Sequence, residues 1–246
     1  MDLPVGIVAL GAAAGGFVQG LSGFAFGLVA MAVWAWALDP VLAGPLVVFG
    51  SLVGQLLSWG SIRRGLDPRR VLPFVAGGVL GVPLGVALLL RIDPLAFKLA
   101  VGVLLVVWCP AMLLARDLPR VVRGGRWADA GVGMVGRVMG GLGGLTGPAP
   151  TLWAVLRGWD RDAQRAVFQE FNLSMHGLTM AAYLATGAVS ADAARLCLVV
   201  APAMLVPALV GARLYRRFSA AFRKVVLGLL ATLGAGLVAT TLPEFL

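Results

Sequence analysis

Gly20-Leu21-Ser22-Gly23 and Gly144-Leu145-Thr146-Gly147 are two short stretches that lie inside long apolar segments, about half the chain apart. Each places glycine and a small hydroxyl side chain in a segment of membrane-spanning length. A helix broken there exposes backbone N–H and C=O groups that lipid cannot satisfy, so such a break persists only beside protein or a polar cavity. The pair therefore predicts a chain built from two related halves, each contributing one broken helix to a shared site.

The composition is typical of a membrane protein. Of the 246 residues, 60% are hydrophobic and 13% are charged, and the mean hydropathy is +0.94. Apolar runs near 20 residues match a hydrocarbon core roughly 30 Å thick. The arginines behind the net charge of +9 lie in short loops between these runs, which is the pattern of cytoplasmic loops rather than of a nucleic-acid surface. We therefore expect an all-α polytopic membrane protein with no nucleic-acid partner.

Eight apolar runs divide into two halves within one integral membrane domain. We expect an N-terminal repeat over residues 1–116, a cytoplasmic linker over 117–128 and a C-terminal repeat over 129–246. When the second half is aligned with the first, the two glycine motifs coincide, and nearly the same offset also pairs Asp39 with Asp160. Tryptophans near the ends of the runs, Trp34 among them, are expected to anchor the chain at the membrane interface.

Corresponding loops of the two halves carry opposite charge patterns. The loop with Arg63 and Arg64 is basic, whereas its counterpart at 187–193 has no cation. The loop at 213–224 is basic, whereas its counterpart at 91–94 is nearly neutral. Because positive charge marks cytoplasmic loops, we predict two inverted repeats, each with a broken or re-entrant first helix followed by three transmembrane helices. Both termini are then outside; eight plain spans are the alternative.

Two of the runs carry polar stripes. In the sixth run, polar side chains recur every three or four residues and so share one face of a helix: Gln169, Asn172, His176, Thr179 and Tyr183. In the second run, Ser51, Gln55 and Ser58 form a shorter stripe, and the alignment of the halves matches these three with Asn172, His176 and Thr179. We expect the stripes and the breaks to line one polar cavity, although such stripes also serve hydrogen bonding between membrane helices.

The candidate cavity contains hydroxyls, amides and one histidine but almost no carboxylate. Arg137, in the fifth run, either faces this cavity or extends to the interface, because an arginine at mid-membrane costs roughly 2.5–3.5 kcal/mol. A helix that starts at a break also directs free N–H groups and its positive dipole end into the site. This inventory suits a small oxyanion. The predicted substrate-binding residues are Gln19, Ser22, Gly23, Ser51, Gln55, Arg137, Thr146, Gly147, Gln169, Asn172 and His176.

Catalysis, metal binding and cofactors are not expected. One histidine and two separated cysteines, Cys109 and Cys197, cannot assemble a metal site. The alternative from another class is an intramembrane hydrolase, in which Ser22 in a rhomboid-like Gly-x-Ser motif is activated by His176. The duplication of the motif, with Thr146 in the second copy, opposes that interpretation. A third option is a membrane subunit without a substrate of its own.

Glycine patterns along most of the chain resemble those of a known family. They comprise the stretch from Gly16 to Gly27, the Arg-Gly loop at 63–65, the glycines from Gly77 to Gly85 and the second copy at Gly140–Gly147. In this order they resemble the TauE/SafE family, also called the toluenesulfonate uptake permeases. The resemblance implies transport of sulfite, sulfoacetate or another organosulfonate across a bacterial inner membrane, often as export. The partners expected are a small anion and the lipid bilayer, with a coupling proton or sodium ion and a homodimer left open.

Overall fold

The computed structural model describes residues 4–58, 68–114, 120–121, 123–214 and 220–245, and within these ranges it contains no strand. The helices, numbered in chain order, are α1 Val5–Ser22, α2 Phe26–Trp34, α3 Pro40–Leu57, α4 Pro68–Leu89, α5 Pro94–Leu114, α6 Gly125–Gly143, α7 Pro148–Leu156, α8 Arg161–Ala185, α9 Ala191–Leu214 and α10 Ala220–Thr241. A 3-10 turn, Leu242–Phe245, follows. Helix α6 takes in the last residues of the linker expected over 117–128.

Six segments of the described residues are long and apolar enough to cross a membrane. They are α1, α3, α4, α5, α9 and the segment Lys224–Glu244. Helix α8 is long enough at 25 residues, but its polar and charged side chains keep it outside this set. The expectation of an all-α polytopic membrane protein is confirmed.

The first break forms a helical hairpin. The indole Nε1 of Trp34, at the end of α2, donates to the carbonyl oxygens of Ile7 at 3.1 Å and Val8 at 3.3 Å. Helix α2 therefore runs back along α1 to the level at which α1 begins. Trp34 is fully buried, so its expected role as an interfacial anchor is wrong. A buried indole N–H needs an acceptor, and here that acceptor closes the hairpin.

The second break forms a hairpin of the same kind. Trp153 on α7 donates through Nε1 to the Asp129 carboxylate on α6 at 2.7 Å, and Pro150 lies against Gly136. Helix α7 therefore runs back along α6. Helices α2 and α7 each have nine residues, about 14 Å of length. Each hairpin thus combines a long helix with a short return helix.

Each hairpin packs mainly on a helix of the other half. Gly16 and Gly20 of α1 lie against Met204 and Ala208 of α9, in the same order along both helices. Glycine allows the two backbones this close approach. Helices α1 and α9 therefore run in the same direction.

Helices α6 and α4 repeat this arrangement. Gly77 of α4 lies against Ala130 of α6, and Gly85 lies against Val138. These two helices also run in the same direction. Each half thus supplies a long hairpin helix to the other half and receives one in return.

The remaining central pair, α3 and α8, is antiparallel. Near the start of α3, a methyl group at Gly44 would lie 3.2 Å from the hydroxyl oxygen of Tyr183 near the end of α8. Near the end of α3, Gln55 binds Gly23, which lies beside Gln169 in the first half of α8. This pair carries the two polar stripes and lies between the hairpins.

Candidate functional site

The first break is stabilised by its own serine. Gly23 has φ of 89°, a left-handed conformation that favours glycine. The Ser22 hydroxyl donates to the carbonyl oxygen of Val18 at 2.8 Å and accepts from the backbone N–H groups of Phe24 at 3.3 Å and Ala25 at 3.1 Å. All three hydrogen bonds of Ser22 are local, so this predicted site residue acts here as a helix cap.

Gln19 ties the first break to α3. Its Oε1 accepts from the backbone N–H of Phe26, the first residue of α2, at 3.0 Å. Its Nε2 donates to the carbonyl oxygen of Ser51 at 3.5 Å. Gly54 on α3 leaves the space that the amide occupies. Gln19 is buried, and its amide replaces hydrogen bonds that a continuous helix would have made.

Some of the N–H groups expected to be free at the breaks are hydrogen-bonded or absent. At the first break, side chains occupy the N–H groups of Phe24, Ala25 and Phe26. At the second break, Pro148 and Pro150 stand in the first turn of α7 and have no N–H to offer. Side-chain donors therefore add to the backbone N–H groups that remain at the breaks.

Arg137 supplies the strongest such donors. It is fully buried on α6, so it faces the protein interior and does not extend to the interface. Its Nη1 donates to the hydroxyl of Thr146 in the second break at 2.8 Å, and its Nη2 donates to the hydroxyl of Thr179 on α8. The guanidinium thus joins α6, the second break and the α8 stripe.

The positive charge of Arg137 has no acidic partner in the described part of the chain. On the surface of α9, by contrast, Arg195 forms an ion pair with Asp192 at 3.6 Å. The Nε of Arg137 is buried without a hydrogen-bond partner. Because an unpaired buried charge is costly, this guanidinium favours the binding of an anion.

The two breaks meet inside the protein. Gly27, at the start of α2, lies directly against the carbonyl oxygen of Gly144. A methyl group at Gly147 would lie 3.3 Å from the ring of Phe24. The structure therefore brings together the two glycine motifs that are separated by half the sequence.

The polar stripes converge on the same region. Ser51 and Gln55 lie on the face of α3 that also bears Gly44, which contacts Tyr183 of α8. Gln55 donates through Nε2 to the carbonyl oxygen of Gly23 at 3.0 Å. On α8, Asn172 and His176 lie between Gln169, beside the first break, and Thr179, bound to Arg137.

Several of these side chains have buried atoms without a hydrogen-bond partner. A buried polar atom in this state costs free energy and is rare in native proteins. The atoms in the predicted set that lack a partner are Ser51 Oγ, Gln55 Oε1, Arg137 Nε, Asn172 Oδ1 and His176 Nδ1. These atoms are concentrated where two helices and the two breaks converge, which makes this region the candidate site.

Comparison with known families agrees with this geometry. The model of the family described as "Sulfite exporter TauE/SafE" matches residues 7–237. The chain belongs to the TauE/SafE family. The resemblance carried by the glycine patterns is thereby confirmed, and the fold described above is that of a member of a transporter family. No curated protein and no solved structure matched the chain.

Two residues of this TauE/SafE site are missing from the predicted set. Thr179 lies in the polar stripe, and its contact with Arg137 could have been expected from the stripe alone. Arg165 is different, because in the sequence it is only one of several arginines, with Arg157 and Arg161, near the start of α8. A methyl group at Gly23 would lie 3.1 Å from Arg165 Nε. The signal in the sequence was its position four residues before Gln169, on the same helical face.

The hydrolase alternative has no support in the TauE/SafE chain. The Ser22 hydroxyl donates to Val18 and not to a base. His176 Nδ1 has no hydrogen-bond partner. A serine nucleophile requires hydrogen bonding to its base, and that pair is not formed.

Proposed function

We propose that this TauE/SafE protein is a secondary transporter or facilitator for a small sulfur-containing anion, such as sulfite, sulfoacetate or another organosulfonate. The direction is export across the bacterial inner membrane. The observation that carries the proposal is the fully buried guanidinium of Arg137, held by two threonine hydroxyls. A buried cation among neutral polar groups favours an anion over a cation or a neutral solute.

The geometry of a sulfur oxyanion suits these donors. Sulfite and sulfonates present three oxygen atoms around one sulfur atom, and a guanidinium presents several N–H groups in a fixed plane. Thr146 and Thr179 hold two nitrogen atoms of Arg137, which leaves Nε as an inward donor. Ser51 and His176 supply further unpaired atoms from α3 and α8. One anion can thus be held by groups from both halves.

The proposal includes two inverted repeats. From the packed pairs and the short connections between helices we infer that the helix ends Leu57, Leu114, Leu156 and Leu214 lie on one side of the helical bundle. The basic loops follow these ends, so we assign this side to the cytoplasm. Both termini are then outside. The exchange of α1 and α6 between the halves supports a pseudo-two-fold relation, in which the two breaks alternate in opening the site.

Coupling and assembly belong to the same proposal. His176 lies on α8 one turn before Thr179, which binds Arg137, and histidine is the side chain that most readily exchanges a proton near neutral pH. A proton carried with the anion is therefore our first choice over sodium for coupling. The exposed apolar side chains of the membrane-spanning helices contact lipid or a second copy in a homodimer.

Flux measurements in proteoliposomes test the proposed function. Purified protein is reconstituted with sulfite, sulfoacetate, taurine, sulfate and acetate supplied separately. We expect saturable flux of one or more sulfur-containing anions and little flux of acetate. Arg137→Gln should abolish that flux, whereas Arg195→Gln, which changes an exposed arginine on α9, should retain it. Equal flux of acetate and sulfur oxyanions would contradict the proposal.

A further inference from the structure

The unpaired atoms at the site include donors and acceptors, besides Ser51 Oγ and His176 Nδ1, which can do either. Arg137 Nε is a donor, as expected for an anion site. Gln55 Oε1 and Asn172 Oδ1 are acceptors, and they are buried without a partner. An anion that offers only oxygen atoms cannot satisfy an acceptor. The presence of acceptors therefore carries information about the ligand beyond its negative charge.

The acceptor role of Gln55 is fixed by its other hydrogen bond. Its amide nitrogen donates to the carbonyl oxygen of Gly23 at 3.0 Å, and a carbonyl oxygen can only accept. The amide oxygen must then be the atom left unpaired. Gln55 is fully buried and Asn172 nearly so, which makes bulk water a poor substitute for a ligand donor.

The charge of the site comes chiefly from Arg137, the only lysine or arginine that is buried within the described ranges. Arg165, beside Gly23, is partly exposed, so solvent screens its charge. A monoanion is the ligand whose charge the buried guanidinium alone neutralises, whereas a second negative charge in the interior is costly.

We propose that the site selects a monoanion that carries a hydrogen-bond donor of its own. The sulfur-oxygen end binds the guanidinium of Arg137, and the donor binds the amide oxygens of Gln55 and Asn172. Hydrogensulfite, sulfamate and sulfonates with a hydroxyl group meet this requirement, whereas sulfate, the dianion sulfoacetate and simple alkyl sulfonates do not. The inference thus narrows the substrates named in the proposed function. This inference rests on the proposed function and specifies the substrate class of the same site.

Sulfamate and methanesulfonate are a matched pair of probes. Both are monoanions of nearly the same size, and they differ by an amino group in place of a methyl group. Binding to purified protein is measured by calorimetry for these two ions and for sulfate. We expect sulfamate to bind about tenfold more tightly than methanesulfonate, from the one additional hydrogen bond. Sulfate should bind more weakly than sulfamate.

Two variants and one control assign the effect to the amide oxygens. Gln55→Met and Asn172→Leu remove the acceptors with little change in size. In each, we expect the preference for sulfamate to fall to about onefold while methanesulfonate still binds, which also shows that the site is folded. Gln164→Met is the control, because Gln164 likewise donates to a backbone carbonyl, that of Trp159, but outside the site. It should keep the full preference.

The outcomes separate this inference from the transport proposal. Equal binding of sulfamate and methanesulfonate by the parent protein, or equally tight binding of sulfate, would overturn the selection while leaving anion transport intact. A requirement for sodium ions in sulfamate binding would also overturn it, since the oxygens would then bind a cation. If none of the ions nor hydrogensulfite binds, both the selection and the transport proposal fail.

Discussion

Gly27 on α2 lies directly against the carbonyl oxygen of Gly144, which ends α6, with no room for a side chain between them. This contact joins the two hairpins at their breaks. Because of this contact, Gly144 of the second glycine motif is needed for packing, and that need can be tested separately from ligand binding. The glycines of the two motifs are therefore not equivalent.

Gly144→Ala should destabilise the protein, whereas Gly147→Ala should not. Gly144 has φ of 70°, and a methyl group there would overlap Val47. The strain and the overlap together should cost at least about 2 kcal/mol. Gly147 has φ of −69°, a conformation open to alanine, and only the Phe24 ring is near. Thermal unfolding in detergent measures the difference, and equal melting temperatures for the two variants would contradict this account.

Replacing Arg137 should weaken anion binding. Arg137→Gln removes the charge and should lower the affinity for the transported anion roughly 10–100-fold, the worth of a hydrogen bond to a charged group. Arg137→Lys keeps the charge but not the planar set of donors, so its affinity should be intermediate. Binding to purified variants provides the measurement. Parent-like affinity in Arg137→Gln would remove this residue from the site.

Arg165 should act on the rate of anion capture. Its guanidinium lies beside Gly23, at the cytoplasmic side of the first break in our assignment. Arg165→Gln should slow anion association from that side several-fold at low salt, and the difference should shrink at high salt. Arg157→Gln is the control, because Arg157 lies over the Trp153 ring at 5.7 Å, whereas the side chains nearest Gly23 are those of Gln169 and Arg165. An identical change in both variants would indicate a general surface-charge effect.

Cysteine labelling tests the assignment of sides. Arg69 and Arg123 are exposed near one side of the bundle, and Arg91 and Thr186 are exposed near the other. A membrane-impermeant thiol reagent should reach cysteines at the first two positions only from the cytoplasm and at the last two only from outside. The parent protein serves as the control, since Cys109 and Cys197 lie within helices. Labelling of positions 69 and 123 from opposite faces would refute the inverted arrangement.

His176→Gln should separate binding from proton coupling. Glutamine keeps a hydrogen-bond donor and matches Gln55 of the other half, but it cannot exchange a proton near neutral pH. We expect binding to persist and the pH-dependent part of transport to disappear. Flux measured across a range of pH in proteoliposomes checks this. An unchanged pH profile would exclude His176 as the proton carrier.

The sequence predicted which polar side chains face the protein interior better than it predicted which hydrogen bonds they make. Ser51, Gln55, Asn172 and His176 followed from helical periodicity alone, because a polar stripe in an apolar helix must face protein. In α8 the same kind of stripe works against prediction, because the polar side chains make the helix too polar to be recognised by hydropathy as a membrane span. The side on which each loop lies stays a prediction until it is measured.

The remaining features depend on contacts distant in sequence. Gln19 caps α2 only because the chain reverses after Gly23, and Trp34 is buried only because α2 returns along α1. Arg165 joins the site because α8 passes the first break. No local pattern distinguishes these residues from an ordinary glutamine, an interfacial tryptophan or a loop arginine.

The packing of α1 on α9 also has a consequence for biosynthesis. Helix α1 must wait for Ala191–Leu214, its main partner, while all the residues between them are synthesised. At about 5–20 residues per second, that delay is on the order of 10–40 s. During this time the glycine face of α1 and the nearby amide of Gln19 lack the contacts that bury them in the folded protein. The nascent hairpin, closed by Trp34, must therefore persist in the bilayer as a folding intermediate before the second half arrives.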